Sequence, residues 1–228
     1  MRCSRQDLRN RLNVQDPVFI VHGCGLFCSE YKMVPLLTSW KHLDQRGDPV
    51  VRAGVLAQKN AMDREFELPK ESVATIGVTL SGCQSHLDTV VKSAQNKKTR
   101  PGFFIRAGHQ AIATYAAMAV QTHGPTFTWI NHGLPLQDLF DKVDDILSSN
   151  LASHCFIIFS TGINSTVNAA CLLLSLEAKS EVNKHSSIPL SHSYETVFDF
   201  VVSLRENKKL NPEIQHFSYD RFQFHYPI

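Results

Sequence analysis

Cys155-Phe156-Ile157-Ile158-Phe159 is an unbroken apolar run. Successive strand residues point to opposite faces of a sheet, so a strand of this kind must be covered on both sides. Shorter runs of similar character recur at Pro17 to Val21, Ala74 to Leu80 and Thr126 to Ile130. Between them lie stretches with helical character, at Val50 to Asp63, Ser85 to Asn96, Gln110 to Val120 and Pro135 to Leu147. Strands that alternate with helices predict βαβ units and a mainly parallel sheet. Val167 to Glu177 is apolar as well, and periodicity alone does not separate strand from helix there. We read it as a strand running antiparallel to its neighbours. The expected fold class is α/β, with a mixed, mainly parallel five-stranded sheet and helices on both faces.

Turn signals divide these elements. Gly23 and Gly25 predict a tight turn after the first strand, and Thr161-Gly162 the end of the strand that starts at His154. Gly47-Asp48-Pro49 marks another turn. Asn183 to His192, with its Ser residues and Pro189, reads as a loop or linker. Glu195 to Arg205 reads as an amphipathic helix, and Gln215 to Tyr226 as an aromatic strand or extended tail.

Composition excludes several function classes. A net charge of +2 gives no reason to expect nucleic acid as a partner. No apolar run reaches the roughly 18 residues of a membrane-spanning helix. Met1 to Arg11 is charged, unlike a secretory signal, so a cytoplasmic location is expected. The six cysteines, at 3, 24, 28, 83, 155 and 171, are expected as buried free thiols. His22, His109, His123 and His154 occur singly, without metal-ligand spacing, and no metal or cofactor is implied.

The segment from Gly124-Pro125 to Gly133 carries the most specific signal. A helix stops at Gly124-Pro125, the run Thr126-Phe127-Thr128-Trp129-Ile130 follows, and Asn131-His132-Gly133-Leu134 leads into a helix with Asp138 and Asp141 near its start. Val18-Phe19-Ile20-Val21-His22-Gly23-Cys24-Gly25, Ile76-Gly77-Val78 through Ser81-Gly82, and Phe103 through Gly124-Pro125 precede it in order. Leu139 to Ser149 and Cys155 through Gly162 follow. In this order and spacing, residues 17–178 resemble the N-terminal half of the β-ketoacyl synthases of the thiolase superfamily. Residues 179–228 then form a linker, a helix and an aromatic strand or tail packed on that half.

The resemblance implies a truncated thiolase-like half. Where the synthases keep their nucleophilic Cys, this chain has Gly133. The two catalytic His residues of the family belong to a C-terminal half that is expected here to be missing or reduced to a remnant. The chain is thus similar to chain-length factors, the Cys-less partners of active synthases, and to the short versions in aryl polyene pigment clusters. No catalytic residue is implied. The implied partners are a full-length β-ketoacyl synthase, in a heterodimer, and an acyl carrier protein through that complex. Thr126, Phe127, Thr128, Trp129 and Ile130 become the expected interface strand. Ile105, Ile112, Tyr115 and Met118 become the expected wall closing the partner's acyl tunnel. A competing α/β-hydrolase reading needs a G-x-S-x-G elbow, and neither Ser81 nor Ser160 has one. An orphan scaffold protein is the remaining alternative.

Overall fold

The computed structural model describes residues 16–35, 48–62, 67–80, 83–96, 108–130, 135–177, 187–190, 194–213 and 215–226. Eight strands form one sheet: β1 (Val18–Glu30), β2 (Val73–Thr79), β3 (Thr126–Ile130), β4 (His154–Ile163), β5 (Thr166–Leu176), β6 (Ile188–Pro189), β7 (His216–Tyr219) and β8 (Phe222–His225). Their order is β3-β2-β4-β5-β1-β8-β7-β6. β2 runs parallel to β3 and β4, while β5 runs antiparallel to both β4 and β1. The antiparallel reading of Val167 to Glu177 therefore holds, and so does the α/β class. The count is eight strands rather than five, because the C-terminal segment extends the sheet past β1.

Helices cover both faces. The described ones are α1 (Pro49–Ala61), α2 (Gln84–Gln95), α3 (Ala111–Val120), α4 (Leu136–Ser148) and α5 (Val197–Leu210). Phe140, Val143 and Ile146 of α4 and Phe200, Val201 and Leu204 of α5 pack on one face, over Ile76, Ile157, Leu172 and Phe19. Val51, Val55 and Ala57 of α1 and Ile112 and Ala116 of α3 pack on the other, over Phe156, Ile158, Cys171 and Leu173. Phe156, Ile157, Ile158 and Phe159 are each at most 1% exposed, as an apolar strand between two helical layers requires.

The expected turn at Gly23 and Gly25 is absent, and β1 continues through both, with a shift of its register against β5 between Val21 and Gly23. These glycines serve close packing. A Cβ on Gly23 would lie 1.7 Å from the Ala61 carbonyl oxygen, and one on Gly25 2.0 Å from that of Ala57. Both obstacles are backbone of α1, so they cannot rotate away. At Gly47-Asp48-Pro49, Gly47 lies outside the described residues and the other two open a helix. Asp48 caps α1 by accepting from the Val50 amide at 2.8 Å, and Pro49 opens the helix.

Thr161-Gly162 does not end β4 either. The strand continues to Ile163 and turns into β5 through Asn164-Ser165, both at positive φ (48° and 67°). That is the backbone of a two-residue hairpin turn matched to strand twist. The C-terminal segment is a second hairpin, β7 to β8, turning at Asp220 (φ 52°). Arg221 in this turn pairs with Asp141 of α4. Phe19, Phe140, Phe200 and Phe224 seal it, with ring centroids 5.1 to 6.2 Å apart for Phe140 on the other three.

Gly23→Ala should lower unfolding stability by at least about 2 kcal/mol, the scale of overpacking against backbone that cannot repack. Urea denaturation followed by far-UV circular dichroism measures it. An unchanged midpoint would show that α1 can shift off β1 without cost.

Candidate partner interface

β3 is the end strand of the sheet. It pairs with β2 in register from Thr75↔Thr126 to Thr79↔Ile130, and no described strand lies on its other side. Its exposure alternates: Thr126, Thr128 and Ile130 are exposed, and Phe127 and Trp129 are half-buried. Phe127 and Trp129 pack against the core of the α4 face, with the Lys142 ammonium 5.2 Å from the Phe127 ring centroid. Ile130 keeps 38% of its surface exposed. Among the described residues the outer edge of the strand has no strand partner, and the side chains of the strand are polar only at two threonines.

α3 lies against β2 and β3 because Gly77 lets it. A Cβ at Gly77 would meet the Ala113 backbone nitrogen at 2.7 Å. This placement sorts the expected tunnel-wall residues. Ile112 is 1% exposed, inside the core, where its Cγ2 is 3.6 Å from a Cβ built on Gly54. Tyr115 is only partly buried, and Met118 is 59% exposed. Ile105 and Gly133 lie outside the described residues, as do Asn131 and His132. Two further apolar side chains, Leu87 and Val91, stand exposed one turn apart on α2, which follows β2. The sequence reading missed them, although their i, i+4 spacing was the available signal.

The thiols near the strand ends carry no activation. Cys83 sits at the start of α2, where a helix terminus would favour a thiolate, but burial and the Asp48 carboxylate push its pKa up to about 12. Burial likewise raises Cys155, Cys171 and Cys24. Cys28 departs from the expected burial and is exposed, and Cys3 lies outside the described residues. Ser160, weighed as a hydrolase nucleophile, is fully buried in β4 and donates its hydroxyl to the Val50 carbonyl at 2.6 Å. Ser81 lies outside the described residues.

The structure joins two histidines that look unrelated in sequence. The His22 and His154 rings lie 4.9 Å apart, His22 Nε2 is 2.8 Å from Ser175 Oγ, and His154 Nδ1 is 2.9 Å from Ser153 Oγ. Burial first, and the His154 charge second, push the His22 pKa down to about 4, and burial lowers that of His154. The pair sits at the start of β4, away from β3's Ile130 end. Among the described residues, no cluster of three or more potential ligands could hold a metal ion. No described helix is long and apolar enough to cross a membrane.

No family model matches the sequence, and no curated protein matches it. Solved structures match the fold. The ishigamide ketosynthase/chain length factor aligns over 72% of this chain and 63% of its own, with 9% identity and a TM-score of 0.58. A type II polyketide synthase acyl-carrier protein in complex with its ketosynthase, AntDE:AntF, aligns over 72% and 64%, with 11% identity and a TM-score of 0.58. A ketosynthase in complex with its chain length factor from Xenorhabdus doucetiae covers 86% and 82% at 15% identity, but its TM-score of 0.48 supports no argument. The chain spans 63% and 64% of the first two matched chains. Its fold is that of the ketosynthases, as the sequence resemblance implies.

A lowered histidine pKa sets an acid limit. Between pH 6.5 and about 4 the unfolded chain protonates at His22 while the folded chain does not, so stability should fall as pH drops through this window. Thermal melts from pH 7 to 4 should show that loss, and His22→Gln should flatten part of it. An unaltered slope in the variant would assign the acid limb to other groups.

Proposed function

We propose that this chain is a non-catalytic, chain-length-factor-like subunit that pairs with an active β-ketoacyl synthase in polyketide or polyene biosynthesis. In this reading residues 17–178 supply a ketosynthase-like body, residues 179–228 pack on it, and the complex works in the cytoplasm and meets an acyl carrier protein. The observation that carries the reading is β3. It is a five-residue edge strand without Pro or any charged residue, in a fold whose matched structures include a ketosynthase/chain length factor. An exposed edge of that kind is a liability that soluble proteins cover or blunt. Pairing with the equivalent strand of a synthase would extend the ladder and bury Ile130 and the flanks of Phe127 and Trp129.

The partner supplies the chemistry, since Gly133 offers no nucleophile. This chain supplies shape. Of the expected wall residues on α3, Met118 is exposed and Tyr115 partly buried against the core, while Ile112 is committed to the core, so Met118 and the free side of Tyr115 would carry this role. A rigid apolar intermediate would be limited in length by steric exclusion against such side chains at little polar cost.

Co-expression with a full-length synthase and size-exclusion chromatography tests the pairing. Trp129→Ala should weaken the heterodimer by on the order of 2 kcal/mol, about thirtyfold in Kd. A soluble monomer that ignores every synthase offered would sink the proposal. The non-catalytic part has its own check: Gly133→Cys in the isolated chain should give no malonyl decarboxylation and no acyl transfer. Either activity, measured without a partner, would show that catalytic groups are present after all.

A further inference from the structure

On the α5 face, a groove of ≈ 610 Å³ lies between the second half of β1, the C-terminal half of α5 and Tyr226. Its volume falls in the range of small-molecule sites. The floor is apolar: Cys24 and Leu26 of β1, Val202 of α5 and the Tyr226 ring. The polar atoms on the floor satisfy each other, with Cys24 Sγ 3.2 Å from the Tyr226 hydroxyl. Burial raises the pKa of both groups, so the floor is uncharged at neutral pH. The charges stand on the more exposed rim, with three cations, Arg205, Lys208 and Lys209, and one carboxylate, Glu206.

The rim has a bland explanation to overcome. Cations in the last turn of a helix offset its dipole, and Lys208 and Lys209 occupy the last turn of α5. Lys208 also has structural work: its ammonium donates to the Pro212 carbonyl at 2.9 Å and lies 5.5 Å from the Tyr226 ring centroid, walling one end of the groove. Neither account covers Arg205. It precedes the last turn and lines the groove with Lys209, one helical turn away, and like charges at that spacing destabilise a helix. An apolar floor under paired cations fits one chemistry, a ligand with an aliphatic body and an anionic head.

We propose that this groove binds an amphipathic carboxylate of medium chain length, its body against Cys24, Leu26, Val202 and Tyr226 and its head between Arg205 and Lys209. The site is separate from β3 and does not depend on the partner-subunit reading. Binding is read on the chain alone, so either idea can fail without the other.

Isothermal titration of the full chain with dodecanoate, below its critical micelle concentration, tests the proposal. Dodecyltrimethylammonium and dodecanol are the cationic and neutral controls. The expected result is saturable one-to-one binding of dodecanoate that exceeds both controls. Arg205→Glu with Lys209→Glu, at two exposed positions, should weaken it about tenfold or more while leaving dodecanol unchanged. Val202→Trp should abolish both by filling the floor, with circular dichroism melts confirming that each variant is folded. No saturable binding, equal binding of the ammonium probe, or wild-type affinity in folded Val202→Trp would each overturn the assignment.

Discussion

The contact between α1 and β1 sets the position of much else in this fold. With Gly23 and Gly25 beneath them, the Ala57 and Ala61 carbonyls sit where any side chain on the strand would have to be. α1 can therefore lie directly on β1 and β5, with Val51, Val55 and Ala57 in the core of that face. The small residues Ala53 and Gly54 then leave room for Ile112 of α3 to pack beside it. Gly77 repeats the device under Ala113, so both helices of this layer approach the sheet through glycine on at least one side. Tight packing of that kind is intolerant of volume change, which makes this layer stiff.

The opposite layer is built from large rings. Phe140 of α4 touches Phe19 of β1, Phe200 of α5 and Phe222 and Phe224 of β8, so one side chain joins four elements. The Asp141–Arg221 pair fixes the β7–β8 turn to the same helix. This is how a hairpin far along the chain becomes part of the sheet. β8 runs parallel to β1 over Val18 to Ile20 only, and the aromatic cluster supplies most of the remaining hold.

What the sequence made legible follows from how local each signal is. Cys155 to Phe159 could be assigned because every residue of a doubly covered strand is apolar, and the β2, β3 and α4 boundaries fell within a residue or two of the expected ones. Gly23 and Gly25 misled because glycine permits both a turn and a close approach, and only the helix arriving from residues 49–61 decides between them. Asn164-Ser165 was passed over since it lacks the Asn-Gly form of a strong hairpin signal. The eight-stranded order was out of reach, because β8 pairs with β1 across about two hundred residues of chain. At the site, the β3 alternation was visible in Thr-Phe-Thr-Trp-Ile, whereas its place at the sheet's end was not. Nor could a helical stripe show that Ile112 faces inward and Met118 outward. The His22–His154 pair is a product of the β1–β5–β4 register and has no local signature.

The two ends of the sheet are treated differently, and that difference bears on assembly. At the far end, β6 is two residues long and one of them is Pro189, which has no amide to offer a new strand. A short, proline-bearing terminal strand is a standard way to stop a sheet from growing. β3 has none of these protections: five residues, every amide present, β-branched and aromatic side chains throughout, and no lysine or glutamate within the strand. The Lys142 ammonium near Phe127 comes from α4 and lies over that ring, and among the described residues no strand pairs on the outer edge of β3. Among the described residues, one end of the sheet is thus blunted and the other carries no such device. An edge with these features gains from being covered, and the proposed pairing of β3 with a partner strand rests on that physical ground.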